Sequence, residues 1–155
     1  MRHLAVVHHS RGGSTGELCR AAVDAADAVT DTTEPVETQV WGAFDAGPED
    51  VLWADALLLA TPAHFGYMSG ALKDFFERIY LPCLEKTRAL PYALIVKGDT
   101  DVDGAVASVQ KIATGLQWNL VRPPVTVVGA ITAADLDDAA ELGATLAAGL
   151  GEEVF

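Results

Sequence analysis

The sequence predicts an α/β fold: a doubly wound five-stranded parallel sheet in the order 2-1-3-4-5, with helices layered on both faces. Three observations predict it. Short apolar runs alternate with stretches of helical periodicity along the whole 155-residue chain. Ala56-Leu57-Leu58-Leu59-Ala60 is apolar at every position, as a central parallel strand covered on both sides must be. The connections are short, and right-handed crossovers then distribute the helices to the two faces.

The first strand is Arg2 to His8, and the helix after it carries Leu18, Ala22, Val23, Ala26 and Val29 on one face. Pro35 to Trp41 forms a second strand, rich in β-branched residues and preceded by the turn Asp31-Thr32-Thr33-Glu34. A short helix starting near Gly47-Pro48-Glu49 fits between Asp45 and Ala54. After the all-apolar third strand come Thr61-Pro62 at its end, then a helix beginning near Ser69 with Leu72, Phe75, Phe76 and Ile79 on one stripe and Pro82 at its close. Tyr92 to Val96 is the fourth strand. Ala105, Val106, Val109, Ile112, Ala113 and Leu116 define the next helix; Val125 to Val128, after Pro123-Pro124, is the fifth strand; and Leu136, Ala140, Gly143, Ala147 and Leu150 line the last helix.

Size and charge narrow the function classes. Residues 1–155 fit one domain, and with half of them apolar the chain can bury a core without disulfides or metal. Cys19 and Cys83 are too far apart for a Cys-x-x-Cys unit and are expected reduced and partly buried. No leader pattern and no apolar run long enough to cross a bilayer is present, so a cytoplasmic protein is expected. The formal charge of −12 opposes contact with nucleic-acid backbones and anionic lipid, so neither nucleic acid nor membrane is expected as a partner.

In the predicted strand order the chain reverses direction between the first and third strands, which opens a crevice at their C-terminal ends. Three loops empty there: Ser10 to Gly16, Thr61 to Ser69 and Lys97 to Gly104. The first, Ser10-Arg11-Gly12-Gly13-Ser14-Thr15-Gly16, has the composition of a phosphate-binding turn. Its glycines let backbone approach the oxygens, its hydroxyls add donors, and the helix it opens supplies unpaired N–H groups and the positive end of a dipole. The same residues also suit an ordinary strand-to-helix turn in which Ser14 caps the helix. In the second loop, Phe65 and Tyr67 offer flat apolar surface to a planar heterocycle and Gly66 offers close backbone, or the aromatics fold back on the domain.

Ser10 to Thr15, the run Asp55 to Pro62, and its sequel His64-Phe65-Gly66-Tyr67-Met68-Ser69-Gly70-Ala71-Leu72-Lys73-Asp74-Phe75-Phe76-Glu77-Arg78 resemble the flavodoxin-like FMN proteins. The likeness is to NAD(P)H-dependent FMN reductases and to quinone reductases of the tryptophan-repressor-binding-protein type, and it covers most of the chain. It implies a flavodoxin-like three-layer sandwich that binds FMN. It further implies that Ser10, Gly13, Ser14 and Thr15 hold the phosphate, with Arg11 and Gly12 shaping the turn. Pro62, Ala63, His64, Phe65, Gly66 and Tyr67 would border the ring, and Lys97, Gly98, Asp99 and Thr100 would close its dimethylbenzene or its pyrimidine side. Lys73, Glu77 and Arg78 match the family's helix signature and are expected to form surface pairs.

The activity so implied is NAD(P)H-dependent reduction of a quinone, a flavin or a similar small acceptor. The alternative is a flavodoxin-type electron carrier that serves a redox partner protein. NADPH or NADH is the expected donor, and a homodimer or monomer is expected because the chain lacks the long insertion used in tetramers. His64 is the candidate proton donor beside the ring. Asp99, Asp101 and Asp103 are expected to disfavour negative charge on the reduced flavin. No metal site is expected, since His8 and His9 point to opposite faces of their strand.

Overall fold

Leu4, Ala5, Val6 and Val7 are wholly buried, and so is every residue from Ala56 to Ala60, because each strand is covered on both sides. The computed structural model describes residues 1–10 and 13–155. Its elements are β1 (Arg2–His8), α1 (Ser14–Asp27), β2 (Val36–Gly42), α2 (Pro48–Trp53), β3 (Ala56–His64), β4 (Tyr67–Met68), α3 (Gly70–Cys83), β5 (Pro91–Gly98), α4 (Asp103–Gly115), β6 (Asn119–Leu120), β7 (Val125–Val128) and α5 (Ala133–Gly151). The parallel order is β2-β1-β3-β5, and β6 and β7 both add to the outer side of β5. This is the flavodoxin-like doubly wound sheet, with its crevice between β1 and β3.

Alternation along the strands divides the core in two. Ala5, Val7, Leu57, Leu59, Leu94 and Val96 pack beneath α3 and α4 with Phe75, Phe76, Val109 and Trp118. Leu4, Val6, Leu58, Ala93 and Ile95 pack beneath α1 and α5 with Leu18, Ala22, Leu142 and Leu146. Gly143 brings the backbones of those two helices together, since a Cβ there would run into the Ala22 carbonyl. Cys19 and Cys83 are both free and buried. Burial pushes the Cys19 thiol up to about 11, which keeps it protonated.

Two boundaries differ from the sequence reading, the ends of β3 and of α3. Strand β3 does not stop at Thr61-Pro62; it runs on to His64 and folds back into β4, pairing Ala63 with Met68 and His64 with Tyr67. Pro62 breaks nothing, because pairing with β1 has already ended at Ala60, while on the other side Pro62 still registers with Lys97. The expected fifth strand, Val125 to Val128, forms as β7, and a two-residue strand the sequence reading did not include, β6, pairs with β5 ahead of it, with Val121, Arg122, Pro123 and Pro124 between the two. Pro82 lies inside the last turn of α3, and the helix runs on to Cys83. In α5 the fully buried stripe passes through Ala139, with Ala140 only partly covered. Among the described residues no helix is long and apolar enough to cross a membrane.

Candidate functional site

The β1–α1 turn places its donors as an anion site requires. Ser10 Oγ accepts a hydrogen bond from the Gly13 N–H at 3.1 Å, which fixes the turn and leaves the Ser10 hydroxyl proton to donate outward. Gly13 stands at φ +93°, a left-handed conformation that glycine adopts without strain, and it is the N-cap of α1. The alternative in which Ser14 caps the helix is therefore replaced: Ser14 is the first helical residue, and the cap has no side-chain hydrogen bond. The first-turn N–H groups of Ser14, Thr15 and Gly16 have no carbonyl one turn back to bond within the helix. Arg11 and Gly12 lie outside the described residues.

The second loop is a β-hairpin. Phe65 and Gly66 are its two central residues, at φ +54° and +68°, the left-handed pair that a tight two-residue turn between antiparallel strands demands. Glycine meets this freely. At Phe65 it costs about 1 kcal/mol of backbone strain, so the surroundings must hold the turn. Thr61 Oγ1 accepts from the Ser69 N–H at 3.0 Å and donates to the Pro62 carbonyl at 2.8 Å. Ser108 Oγ accepts from the Met68 N–H at 3.1 Å and donates to the Ala105 carbonyl at 2.8 Å. Ser69 Oγ caps α3 through the Leu72 N–H. Gly104, in the first turn of α4, lies so close to the hairpin that a Cβ would meet the Gly66 carbonyl oxygen. Phe65 is fully exposed and Tyr67 is 41% exposed, so the aromatics do not fold back on the domain.

In the third loop Lys97 and Gly98 end β5, and Gly98 packs against Ala63. The acidic run carries less free charge than the sequence suggests. Lys97 Nζ lies 3.0 Å from Asp99 Oδ1, and Asp101 Oδ1 accepts from the Asp103 N–H at 2.9 Å, tying that carboxylate to the start of α4. The expected field of three carboxylates is thus offset at Asp99 by an ammonium.

The three loops meet in a cleft of about 290 Å³, lined by Ser14, Thr15, Pro62, Ala63, His64, Lys97, Gly98 and Asp99. Each of these residues was singled out from the sequence. Ser10 is not among the residues lining this cleft; Gly13 opens onto a different cleft; Phe65, Gly66 and Tyr67 stand at the exposed hairpin tip; and Thr100 is exposed outside the cleft lining. Two larger hollows exist, one of about 680 Å³ beside α1 and β2 and one of about 410 Å³ between β7 and α5. Position decides between them. The smaller cleft alone joins loops at the C-terminal ends of β1, β3 and β5, where the sheet order reverses.

Sequence reasoning missed the scaffold behind the site. Thr61, Ser108 and Gly104 hold the hairpin, and none carries a local signature of that task. Arg78 does more than pair on its helix: besides Asp74 at 2.7 Å, its guanidinium donates to the Ala43 and Ala46 carbonyls, each at 2.7 Å. That clasp fixes the segment after β2, where Phe44 sits edge-on to His9. Lys73 and Glu77 pair at 3.8 Å, as the helix spacing implies.

His8, at the end of β1, has its Nδ1 buried without a hydrogen-bond partner among the described residues, and burial pushes its pKa below the ordinary 6.5. The unfolded chain therefore takes up this proton first as acid is added. Stability from His8 is intact above about pH 6.5 and is lost as pH falls from there through the lower folded value. His8→Asn is expected to shrink the loss in urea midpoint between about pH 7 and about pH 5, measured against the unsubstituted chain under the same conditions.

With this geometry in hand, residues 8–133 match the family model described as NADPH-dependent FMN reductase. A flavodoxin of Aquifex aeolicus (strain VF5) is 29% identical over 79 residues, covering 51% of this chain and 40% of that protein, so the match spans less than half of the relative's length. A flavodoxin from the domain Archaea superposes with a TM-score of 0.80 at 16% identity, covering 94% of this chain and 96% of that one. A flavodoxin, WrbA-like protein from Agrobacterium tumefaciens gives 0.75 at 18% identity, covering 95% and 96%. The flavodiiron protein from Giardia intestinalis gives 0.80 at 16% identity over 95% of this chain but only 36% of that one.

Proposed function

Because the chain belongs to the NADPH-dependent FMN reductase family, we propose that it binds FMN in the cleft between β1 and β3 and uses it to reduce a quinone, a flavin or a similar small acceptor at the expense of NADPH or NADH. Residues 1–155 act as a single FMN-binding domain in this reading, in the cytoplasm and as a monomer or homodimer. One observation carries it: the phosphate-type turn, the aromatic hairpin and the β5 loop converge on one cleft at the sheet's switch point.

The donor set fits the cofactor. Three first-turn N–H groups and the Ser10, Ser14 and Thr15 hydroxyls suit a phosphate. The cleft is small for a whole FMN, which suits a tail held inside and a ring standing against the exposed hairpin, where Phe65 and Tyr67 offer flat surface. FMN, when bound, supplies the hydride and electron chemistry, and the protein supplies binding, orientation and electrostatics. Pro62, Ala63 and His64 wall one side of the cleft and Gly98 and Asp99 the other. His64 brings the one imidazole among the described lining residues and is the candidate proton donor beside the ring. Thr61, Ser108 and Gly104 keep the hairpin from moving when the ring is loaded.

A second reading, an electron carrier without its own nicotinamide activity, is favoured by the likeness to flavodoxins and by the charge of −12, which suits a basic redox partner. Titration of dialysed protein with FMN is expected to quench flavin fluorescence, and the loaded protein is expected to consume NADPH or NADH when a small quinone is present. Quenching without nicotinamide consumption favours the carrier, and no quenching overturns both readings.

A further inference from the structure

We propose that Lys97 is the charge partner of the FMN phosphate, and not a residue closing one side of the ring; the inference rests on the flavin reading above. Side chains alternate along β5. Leu94 and Val96 enter the core beneath α3 and α4, whereas Ala93 and Ile95 enter the core beneath α1 and α5. Lys97 continues the second set, so its stem runs toward α1, and it shares the cleft wall with Ser14 and Thr15 at the start of that helix.

The Lys97 side chain is only 14% exposed, whereas its partner Asp99 is 92% exposed. An ammonium so covered needs an anion beside it, and a carboxylate so open to water can leave at little cost. A phosphate on the first turn of α1 takes that place with three acceptor oxygens and a charge near −2. Among the described residues that line the cleft, Lys97 is the one lysine or arginine, while the chain carries −12 overall and Glu17 lies in the first turn of α1. Helix N–H groups and neutral hydroxyls carry no full positive charge to set against a dianion in that field. Lys97 corrects that field where the phosphate sits, by exchanging Asp99 for the phosphate oxygens.

The test compares FMN with riboflavin, which lacks the phosphate, by quenching of flavin fluorescence on the purified full chain. Lys97→Met is expected to weaken FMN binding about 10- to 100-fold, as loss of a charge-assisted hydrogen bond does, and to leave riboflavin affinity within about twofold. It is also expected to flatten the salt dependence of FMN binding. Lys97→Arg should keep the preference for FMN, and Asp99→Asn should tighten FMN a few-fold by freeing the ammonium. Equal weakening of both flavins in Lys97→Met places the side chain against ring or polyol and overturns the inference, as does unchanged FMN affinity. Unsubstituted protein that binds neither flavin overturns the flavin reading instead.

Discussion

Gly104→Ala is expected to weaken FMN binding by about 10-fold or more while leaving the chain folded. Helix propensity alone argues the other way, because alanine in place of glycine in a helix is worth up to about 1 kcal/mol of added stability. Sterics oppose it and win here. The new Cβ meets the Gly66 carbonyl oxygen, which is backbone and cannot rotate aside, so the hairpin must lift off α4. That lift pulls on the Ser108–Met68 bond and on the turn at Phe65, which its surroundings hold in a left-handed conformation. A site whose wall moves by about 1 Å loses on the order of 100-fold in rate where chemistry depends on it. Flavin titration together with a urea melt decides the matter: a stabilised variant with unchanged FMN affinity would show that the hairpin does not depend on α4 for its position.

Gly143→Ala is expected to cost a large amount of stability, about 2–3 kcal/mol net, seen as a fall of several degrees in Tm. The same conflict of signs arises. Gly143 is in the middle of α5, where alanine is intrinsically favoured, yet its Cβ would overlap the carbonyl of Ala22 on α1, itself fully buried. Neither backbone can yield without separating the two helices and opening the core that Leu18, Leu142 and Leu146 fill. FMN affinity of the folded fraction should change little, because Ala22 is two turns away from Ser14. A melt unchanged within about 0.5 kcal/mol would mean that the helices have slack at this crossing.

Both glycines show what the residue pattern alone leaves hidden. Leu4 to Val7, Ala56 to Ala60 and Tyr92 to Val96 announce buried parallel strands because a strand covered on both faces has no polar side to display. Once those are placed, the ends of β1, β3 and β5 follow, and with them Ser14, Thr15, Pro62, Ala63, His64, Lys97, Gly98 and Asp99. The hairpin was not legible, because Thr61-Pro62 resembles a strand end and the pairing of His64 with Tyr67 depends on Ser108, forty residues further on. Nor was the direction of Lys97, which follows from the register of β5 in the sheet. Close backbone approach at Gly104 and Gly143 is a property of two elements at once, and one stretch of sequence does not display it.

The interruption at Val121 to Pro124 has a consequence for how copies of this chain can meet. Fibrous growth by lateral addition needs two receptive borders, so that each newcomer offers a fresh one. On the far side of β5 the border is broken into fragments of two and four residues, with two adjacent prolines between them that have no N–H to give. Among the described residues, the seven-residue β2 margin is the continuous border of the parallel sheet. Any joining of sheets through that margin consumes it on both molecules and stops at a pair, which makes the architecture self-limiting against runaway polymerisation.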